Sequence, residues 1–253
     1  MLKTRIFLLG LDFLSKEKGH FTDSANSQGK KMDFDVNDFR RRYPEMTPYI
    51  GNNYRVAQQH GCALLVIGES HYLPKYSTIQ KDCAMWYASD HSRLNEEEKG
   101  WISTRDIITE ELPRDFPNQA HGIWKYGYQK INQWGPGFDN YHTLFQYTVF
   151  YNFYLRPANE GNTFRELLTE KDNAISNAYF KYMLEQHKPN GIVFLSRLAF
   201  DCCWERKGLA IPVAGAPHPT CRWWNRKCGK YGGRYGRDLV QDGMIGMDWS
   251  WAK

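Results

Sequence analysis

The run Ala63-Leu64-Leu65-Val66-Ile67, followed at once by Gly68-Glu69-Ser70-His71-Tyr72, decides the fold of this 253-residue chain. The first five residues are all apolar, as in a central parallel strand that helices cover on both faces. The next five are small, polar or amphipathic, so the strand is predicted to end at Gly68. Polar groups at the carboxyl end of such a strand are well placed to contact a ligand.

Two further apolar runs follow the same pattern. Gly191-Ile192-Val193-Phe194-Leu195 comes after a helix-like segment at 173–187, and Ile211-Pro212-Val213-Ala214 comes after a second one at 197–205. The aromatic and β-branched segment Leu144–Leu155 is either a strand or a buried helix that runs into one. This alternation predicts an α/β fold with a central, mostly parallel sheet of four strands.

Length and composition favour a single domain. A chain of 253 residues with 42% hydrophobic residues can bury a substantial core. Residues 15–31 are polar, so residues 1–31 are predicted to be a loosely ordered extension and residues 32–253 the folded domain. No apolar run approaches the roughly 18 residues of a membrane span. Asp12 interrupts the apolar start of the chain, which disfavours a secretory signal.

The cysteines predict neither a metal cluster nor disulfides. None of the six forms a Cys-x-x-Cys pair of the kind expected at a zinc or iron-sulfur site. Reduced thiols are typical of a cytoplasmic protein. We therefore expect a cytoplasmic monomer without a metal or another cofactor.

A histidine with a restrained backbone follows the third run. His218 lies between Pro217 and Pro219, whose rings fix their own φ angles and restrict the residues before them. Because the carboxyl ends of parallel strands share one edge of a sheet, His218 is expected to face the polar groups that follow Ile67.

A cationic stretch comes next. Six cations and no acid lie between Arg222 and Arg237, more than the formal net charge of +5 for the whole chain. The paired Trp223 and Trp224 lie at its start. Such a patch attracts phosphates and makes binding to them dependent on salt.

Taken in order, four segments resemble the uracil-DNA glycosylase superfamily, whose first strand ends in Gly-x-Asp-Pro-Tyr or Gly-Glu-Ala-Pro. The matching segments are Gly68-Glu69-Ser70-His71-Tyr72, Tyr151-Asn152-Phe153-Tyr154-Leu155, Val193-Phe194-Leu195-Ser196 and His218-Pro219-Thr220. The resemblance extends from Ala63 to about Arg226. It implies a three-layer α/β/α fold and recognition of a damaged or deaminated base in DNA, with or without its excision.

The resemblance also implies roles for individual residues. A neutral His218 can donate a hydrogen bond to the base oxygen that becomes negative, and the Asn152 amide can both donate to and accept from one base edge. Residues implied in catalysis are His218, Ser70, Glu69 and His71. Residues implied in substrate binding are Gly68, Tyr72, Asn152, Phe153, Ser196, Pro219 and Thr220. Residues implied in DNA binding are Arg222, Trp223, Trp224, Arg226 and Lys227.

The chain departs from the family pattern at two positions. Ser70 stands where the most active members carry a water-activating acid, and His71 replaces the usual proline. Either Glu69 or His71 supplies the missing function, or a dissociative reaction proceeds mainly through stabilisation of the leaving base.

Other functions remain open. Gly68-Glu69-Ser70-His71 and Gly215-Ala216-Pro217-His218 are both Gly-x-x-His, a pairing similar to that of the erythromycin esterase and pheromone-shutdown hydrolases. In that alternative Glu69, His71 and His218 bind a divalent metal. A serine hydrolase using Ser70 is disfavoured because the Gly-x-Ser-x-Gly elbow is missing. A module that binds a nucleobase without chemistry is the third alternative.

Overall fold

The protein is built around one five-stranded, mostly parallel sheet. Its strands are β1 (Tyr49–Ile50), β2 (Leu64–Leu73), β3 (Thr148–Asn159), β4 (Gly191–Phe194) and β5 (Val213–Gly215). They lie in the order β1-β3-β2-β4-β5. Strands β2 to β5 are parallel, and β1 is antiparallel to β3 at one edge. The predicted α/β class is confirmed, but the predicted number of four strands is wrong because β1 is too short to leave a sequence pattern.

The computed structural model describes residues 34–115 and 122–252. The extension predicted for residues 1–31 lies outside the described residues. Within the described ranges, no helix has both the length and the apolar character needed to cross a membrane.

The α-helices are mostly short. They are α1 (Val36–Arg42), α2 (Tyr54–Gln59), α3 (Cys83–Ala88), α4 (Glu96–Ile102), α5 (Thr104–Asp106), α6 (Leu112–Asp115), α7 (Gly122–Trp134), α8 (Glu170–His187) and α9 (Arg197–Cys202), with a π-helical turn at Ile107–Glu111. Short 3-10 helices cover Pro44–Met46, Ile79–Lys81, His91–Arg93, Tyr141–Tyr147, Phe164–Glu166, Trp204–Arg206, Gly229–Tyr231, Gly236–Met244 and Ser250–Ala252.

The strands have unequal lengths at their carboxyl ends. Ile67 of β2 pairs with Phe194, the last residue of β4, and Phe194 pairs with Gly215 at the end of β5. β2 and β3 continue beyond this point, so the prediction that the first strand ends at Gly68 is wrong. Residues 69–72 are polar, so the sequence gives no sign that the strand continues there. It continues because its hydrogen bonds to β3 are made by backbone groups, which do not depend on side-chain type.

Hydrophobic cores lie on both faces of the sheet. Leu65 and Ile67 belong to a first core, which includes the apolar side of α8. Leu64 and Val66 belong to a second core, which includes Trp124 of α7. Since successive strand residues point to opposite faces, the two cores cover the two sides of β2.

Strand β3 contains a bulge at Arg156-Pro157, a dipeptide whose sequence predicts the start of a loop. Tyr154 pairs with Ser70, but the next pair joins Ala158 to Tyr72, so β3 has two extra residues between these pairs. Arg156 lies in this bulge and is buried against Asp172 of α8. A bulge of this kind bends the strand near its end.

Candidate functional site

Asn152 and Gly68 are neighbours on the two central strands. They are paired in register, and a Cβ atom added to Gly68 would lie 2.1 Å from Oδ1 of Asn152. The Asn152 side chain therefore occupies space that only a glycine leaves open. Asn152 itself is 6% exposed, so the strand pair fixes its amide in a largely buried position.

Ser70 is a buried polar residue near this pair. Its side chain is directed to the same side of β2 as Gly68, because alternate strand residues share a face. Ser70 is 6% exposed, and its Oγ has no hydrogen-bond partner among the residues that the structure describes. A buried hydroxyl without a partner is costly, so a ligand or water that bonds it would be stabilised.

Glu69 points to the opposite side of β2 and is linked to β4. Its Oε2 accepts a 2.6 Å hydrogen bond from the hydroxyl of Ser196, the second residue after β4. Burial raises the pKa of Glu69, although this hydrogen bond and the charge of Arg165 act against the rise. The Ser196 Oγ also accepts the backbone N–H of Ala199 and caps α9. The hydroxyl predicted to bind substrate is thus already engaged within the protein.

His71 lies in the interior rather than beside His218. It is 4% exposed, and its Nε2 lies 3.1 Å from Oγ1 of Thr104 in α5. Burial lowers its pKa to about 3, so the ring is neutral at pH 7. The catalytic role predicted for His71 is corrected, because the imidazole is enclosed and its Nε2 is already bonded to Thr104.

His218 is held in one orientation by its own loop. Its Nδ1 accepts the backbone N–H of Thr220 at 3.3 Å and lies 2.8 Å from the Thr220 Oγ1. Burial lowers the pKa of His218 to about 4. The ring is therefore neutral at pH 7, and because Nδ1 accepts the Thr220 N–H, its proton lies on Nε2.

The loop carrying His218 packs against α7. A Cβ atom added to Gly127 would lie 2.6 Å from Leu195 and 3.4 Å from Pro219, so this helix covers both the end of β4 and the loop. A Cβ atom at Gly122 would lie 2.5 Å from the Thr220 methyl group. Helix α7 thus packs against the end of β4 and the His218 loop, and this loop follows the carboxyl end of β5.

The two tryptophans after this loop have different environments. Trp224 is 3% exposed and belongs to the second core, whereas Trp223 is 39% exposed. Trp224 is therefore corrected from a DNA-binding residue to a core residue. The Arg222 guanidinium lies 4.7 Å from the ring centroid of Trp223. Arg222, Arg226 and Lys227 are all exposed.

Two other residues predicted to contact the substrate, Phe153 and Tyr72, have surroundings that differ from those of Asn152. Phe153 is fully buried and packs against Phe194 in the first core, on the opposite face from Asn152, so its predicted substrate contact is corrected to a core role. Tyr72 is half-buried, and burial together with the charge of Glu69 raises its pKa to about 12.

Sequence reasoning missed the residues that shape the site from outside the motifs. The Thr220 backbone fixes the His218 tautomer, and this contact depends on a turn that side-chain type does not reveal. Gly127 allows α7 to approach the loop. The spacing of Trp124, Tyr128 and Ile131 on one face of α7 is the signal that could have identified this helix.

A groove of about 410 Å³ lies elsewhere on the molecule, near the amino end of β3. Its lining residues are Tyr49, Ile108, Thr109, Pro113, Asn140, His142, Thr143, Phe145 and Gln146. None of them was predicted as a site residue, and the groove is separate from the carboxyl end of the sheet.

The arrangement offers little support for the metal-dependent alternative. Among the described residues, no group of three or more His, Cys, Asp and Glu side chains is placed to hold a metal ion. Glu69 and His71 are instead engaged with Ser196 and Thr104.

Comparison with known proteins identifies no family for this chain. No protein-family model matches it, and no curated protein matches it. Its function must therefore be inferred from the geometry of the site.

Proposed function

We propose that this protein recognises a deaminated or damaged base extruded from DNA and cleaves its glycosidic bond slowly, as a divergent uracil-DNA glycosylase with a three-layer α/β/α domain. The observation that carries the proposal is the set of polar groups at the carboxyl end of the sheet. They are the Asn152 amide of β3, the neutral His218 after β5, and the Ser70 hydroxyl of β2, which has no hydrogen-bond partner among the described residues.

The spacing of the strands suits a base. Asn152 on β3 and His218 after β5 are three strand positions apart, about 14 Å between backbones at the usual strand spacing. The proposal requires the Asn152 and His218 side chains to span the rest of this distance around one base. Asn152 can read the base edge by donating and accepting, while the Nε2–H of His218 can donate to a base oxygen.

The proposed chemistry relies on stabilising the leaving group. As the glycosidic bond breaks, its electron pair remains on the base, and a preoriented Nε2–H donor stabilises the resulting anion. Water then adds to the oxocarbenium-like sugar, and the proton that it loses goes to the departed base anion or to solvent. Glu69 points away from Asn152 and His71 is enclosed, so Ser70 is the polar group left to position that water. A serine is a poor base, which is the reason for expecting slow turnover.

Oligonucleotides containing uracil, hypoxanthine or an undamaged base, in single- and double-stranded form, test this proposal. Abasic product is measured after alkaline cleavage, and base-specific binding is measured in parallel. His218→Ala is expected to reduce excision about 100- to 1000-fold, the usual cost of one oxyanion donor, and Asn152→Ala to reduce base discrimination. His60→Ala and Asn162→Ala are matched controls outside the site.

The possible outcomes distinguish a glycosylase from a binding module and from a protein with neither function. Abasic product that depends on His218 supports a glycosylase. Preference for a damaged base without product supports the binding module and overturns the catalytic part. If no product forms and no base is preferred, the proposal fails altogether.

A further inference from the structure

Residues 223–237 fold back on themselves and form a hairpin. An antiparallel bridge joins Lys227 to Tyr235 across it. Closer to its ends, the backbone N–H of Arg237 donates to the carbonyl of Trp224. These backbone contacts hold the two arms of the hairpin together, so side chains from both arms can meet at one place.

Two cations of the hairpin lie beside one tyrosine ring. The Arg237 guanidinium carbon lies 4.7 Å from the ring centroid of Tyr235, and the Lys227 amine lies 5.4 Å from the same centroid. The Asn225 side chain helps to hold the arginine, because its Oδ1 accepts a 2.7 Å hydrogen bond from Nη1 of Arg237. The hairpin therefore gathers two positive charges around Tyr235.

Helix α7 contributes a third cation from a distant part of the chain. It packs against the 3-10 helix that begins at Gly236. Burial lowers the pKa of Lys130 in α7, and the charge of Arg237 lowers it further, whereas Asp238 acts in the opposite direction. Such an effect requires Lys130 and Arg237 to lie near each other. Lys130 donates to Oε1 of Gln133 at 2.6 Å, and this neutral acceptor does not compensate its charge.

Acidic side chains compensate this cluster of three cations only in part. Asp238 faces it, but the Oδ1 of Asp238 lies 3.9 Å from Nε of Arg237, beyond hydrogen-bond distance. The next acid in the chain, Asp242, is engaged by another cation, since Arg234 donates to its two carboxylate oxygens at 2.8 and 3.0 Å. The cluster thus keeps a net positive charge, which favours an anion with several acceptor oxygens.

The cluster lies next to the loop that carries His218. A Cβ atom added to Gly236, the residue between Tyr235 and Arg237, would lie 2.4 Å from Cγ of Pro217. Pro217 directly precedes His218 in the chain. A nucleic-acid strand that places a base near His218 would therefore bring its backbone close to the cluster.

We infer that Lys130, Lys227 and Arg237 together bind one backbone phosphate of the DNA strand, beside the ring of Tyr235. The inference rests on the proposed function for the identity of the strand. A phosphodiester suits the cluster because its charged oxygens accept hydrogen bonds from several cations at once. Phosphate contacts fix the register of a strand on a protein, so this site positions the strand relative to His218.

Fluorescence anisotropy with an undamaged, labelled single-stranded oligonucleotide, measured over a range of salt concentrations, tests the inference. Lys130→Gln, Lys227→Gln and Arg237→Gln are each expected to weaken binding about 1.5-fold to fivefold at low salt, the usual range for a partly exposed ion pair. In the triple variant the slope of log affinity against log salt concentration should become about 0.7 less negative, the contribution of one phosphate. Three cations on three separate phosphates would change the slope by about 2.

The matched control is Lys230→Gln, which removes an exposed cation from the same hairpin. It should weaken binding less than any of the three test variants. Circular dichroism melts show whether each variant is folded. If Arg237→Gln does not fold, the double variant of Lys130 and Lys227 replaces the triple one, with a slope change of about 0.7 for a shared phosphate and about 1.4 for two separate ones.

A second probe, inorganic phosphate, distinguishes a backbone phosphate from a free one. It is titrated against chloride at equal ionic strength while the backbone N–H signal of Tyr235 is followed by NMR. A shift of this signal, together with DNA binding that is the same in all variants, would assign the cluster to free phosphate and overturn the backbone contact.

Losses that are not additive, with the slope change of one phosphate, support the shared site. A slope change of about 2, an equal loss in Lys230→Gln, or the absence of salt-dependent binding overturns it. Because the oligonucleotide contains no damaged base, the result does not depend on excision. The phosphate site can therefore be confirmed where the glycosylase assay fails, and the reverse.

Discussion

At the scale of single residues, His218 owes its proposed role to its surroundings rather than to its identity. Burial lowers its pKa to about 4, and the Thr220 N–H occupies Nδ1. The donor form, with the proton on Nε2, is therefore populated at all pH values well above 4. An ordinary histidine would begin to gain a second proton near pH 6.5.

The pH profile of excision or base binding follows from this shift. Because the neutral form of His218 is the functional one, kcat/KM or affinity should stay nearly constant from pH 8 to about pH 5.5 and fall as the pH approaches 4. The measurement is repeated on Glu69→Gln, which removes the nearby carboxyl as a source of titration. A loss with a midpoint near 6.5 in both proteins would contradict a His218 that stays neutral down to about pH 4.

Gly68 is expected to be intolerant of even one added methyl group. In Gly68→Ala the new Cβ would lie 2.1 Å from Asn152 Oδ1 and 3.1 Å from Phe150, and both side chains are buried. We expect a loss of about 1–3 kcal/mol in the free energy of unfolding from this overpacking, together with weaker base recognition as Asn152 is displaced. Urea unfolding and binding to the uracil oligonucleotide measure the two effects.

The matched control is Gly100→Ala in α4. A Cβ atom there meets nothing within 4 Å. Alanine is the better helix former, so this variant should be more stable by about 0.5–1 kcal/mol and should bind normally. Equal behaviour of the two alanine variants would mean that Gly68 does not constrain Asn152.

At the scale of elements, apolar runs identified the strands and buried polar residues concealed their extent. The runs at 63–67, 191–195 and 211–214 overlap β2, β4 and β5. Arg156-Pro157 read as a loop, but it lies within β3, because a bulge accommodates both residues and α8 supplies a carboxylate for the arginine. Such partners are distant in sequence, so local pattern cannot reveal them.

The ion pair between β3 and α8 should be essential to this end of the sheet. Arg156 donates from Nε to Asp172 Oδ1 at 2.9 Å and from Nη2 to Oδ2 at 2.5 Å, and both side chains are almost completely buried. Burial alone would raise the pKa of Asp172, but the hydrogen bonds and charge of Arg156 outweigh it and lower the pKa. Tyr87 and Thr169 also donate to the carboxylate.

Asp172→Asn should therefore lower the free energy of unfolding by about 3–5 kcal/mol, since it leaves a buried guanidinium without its counter-charge. Arg156→Met should lower the free energy of unfolding by a similar amount, because it leaves the Asp172 carboxylate buried without its cation. The double variant Arg156→Met, Asp172→Asn should lose less than the sum of the two single losses, because no buried charge remains. Urea unfolding measures the stability of all three variants. The control is Glu96→Gln, which removes a surface ion pair with Lys99 and should change stability little. Additive losses in the double variant would argue against a coupled pair.

At the scale of the whole molecule, sequence order predicted which segments meet, whereas packing decided which residues in them are free. Residues 68–72 and Asn152 lie on the paired strands β2 and β3, Ser196 bonds to Glu69, and His218 follows β5. Yet His71, Phe153 and Trp224 are buried, and Ser196 is engaged with Glu69. Motif spacing cannot specify these differences, because they depend on which face each side chain takes and on the cover that α7 provides.

The charge of the loop after His218 should set the salt dependence of DNA binding. Arg222, Arg226 and Lys227 are exposed on this loop. The Arg222 guanidinium lies beside the ring of Trp223, and the Lys227 amine lies beside the ring of Tyr235. Each phosphate contact to a single strand releases counterions and contributes about −0.7 to the slope of log affinity against log salt concentration. If these three cations each contact a phosphate, replacing all of them with alanine should make the slope about 2 less negative and weaken binding most at low salt. The control replaces Arg55, Lys181 and Lys207, three exposed cations outside the loop, and removes the same net charge. An equal change of slope in the control would show that binding responds to total charge alone, and would remove the cationic loop from the proposed DNA-binding surface.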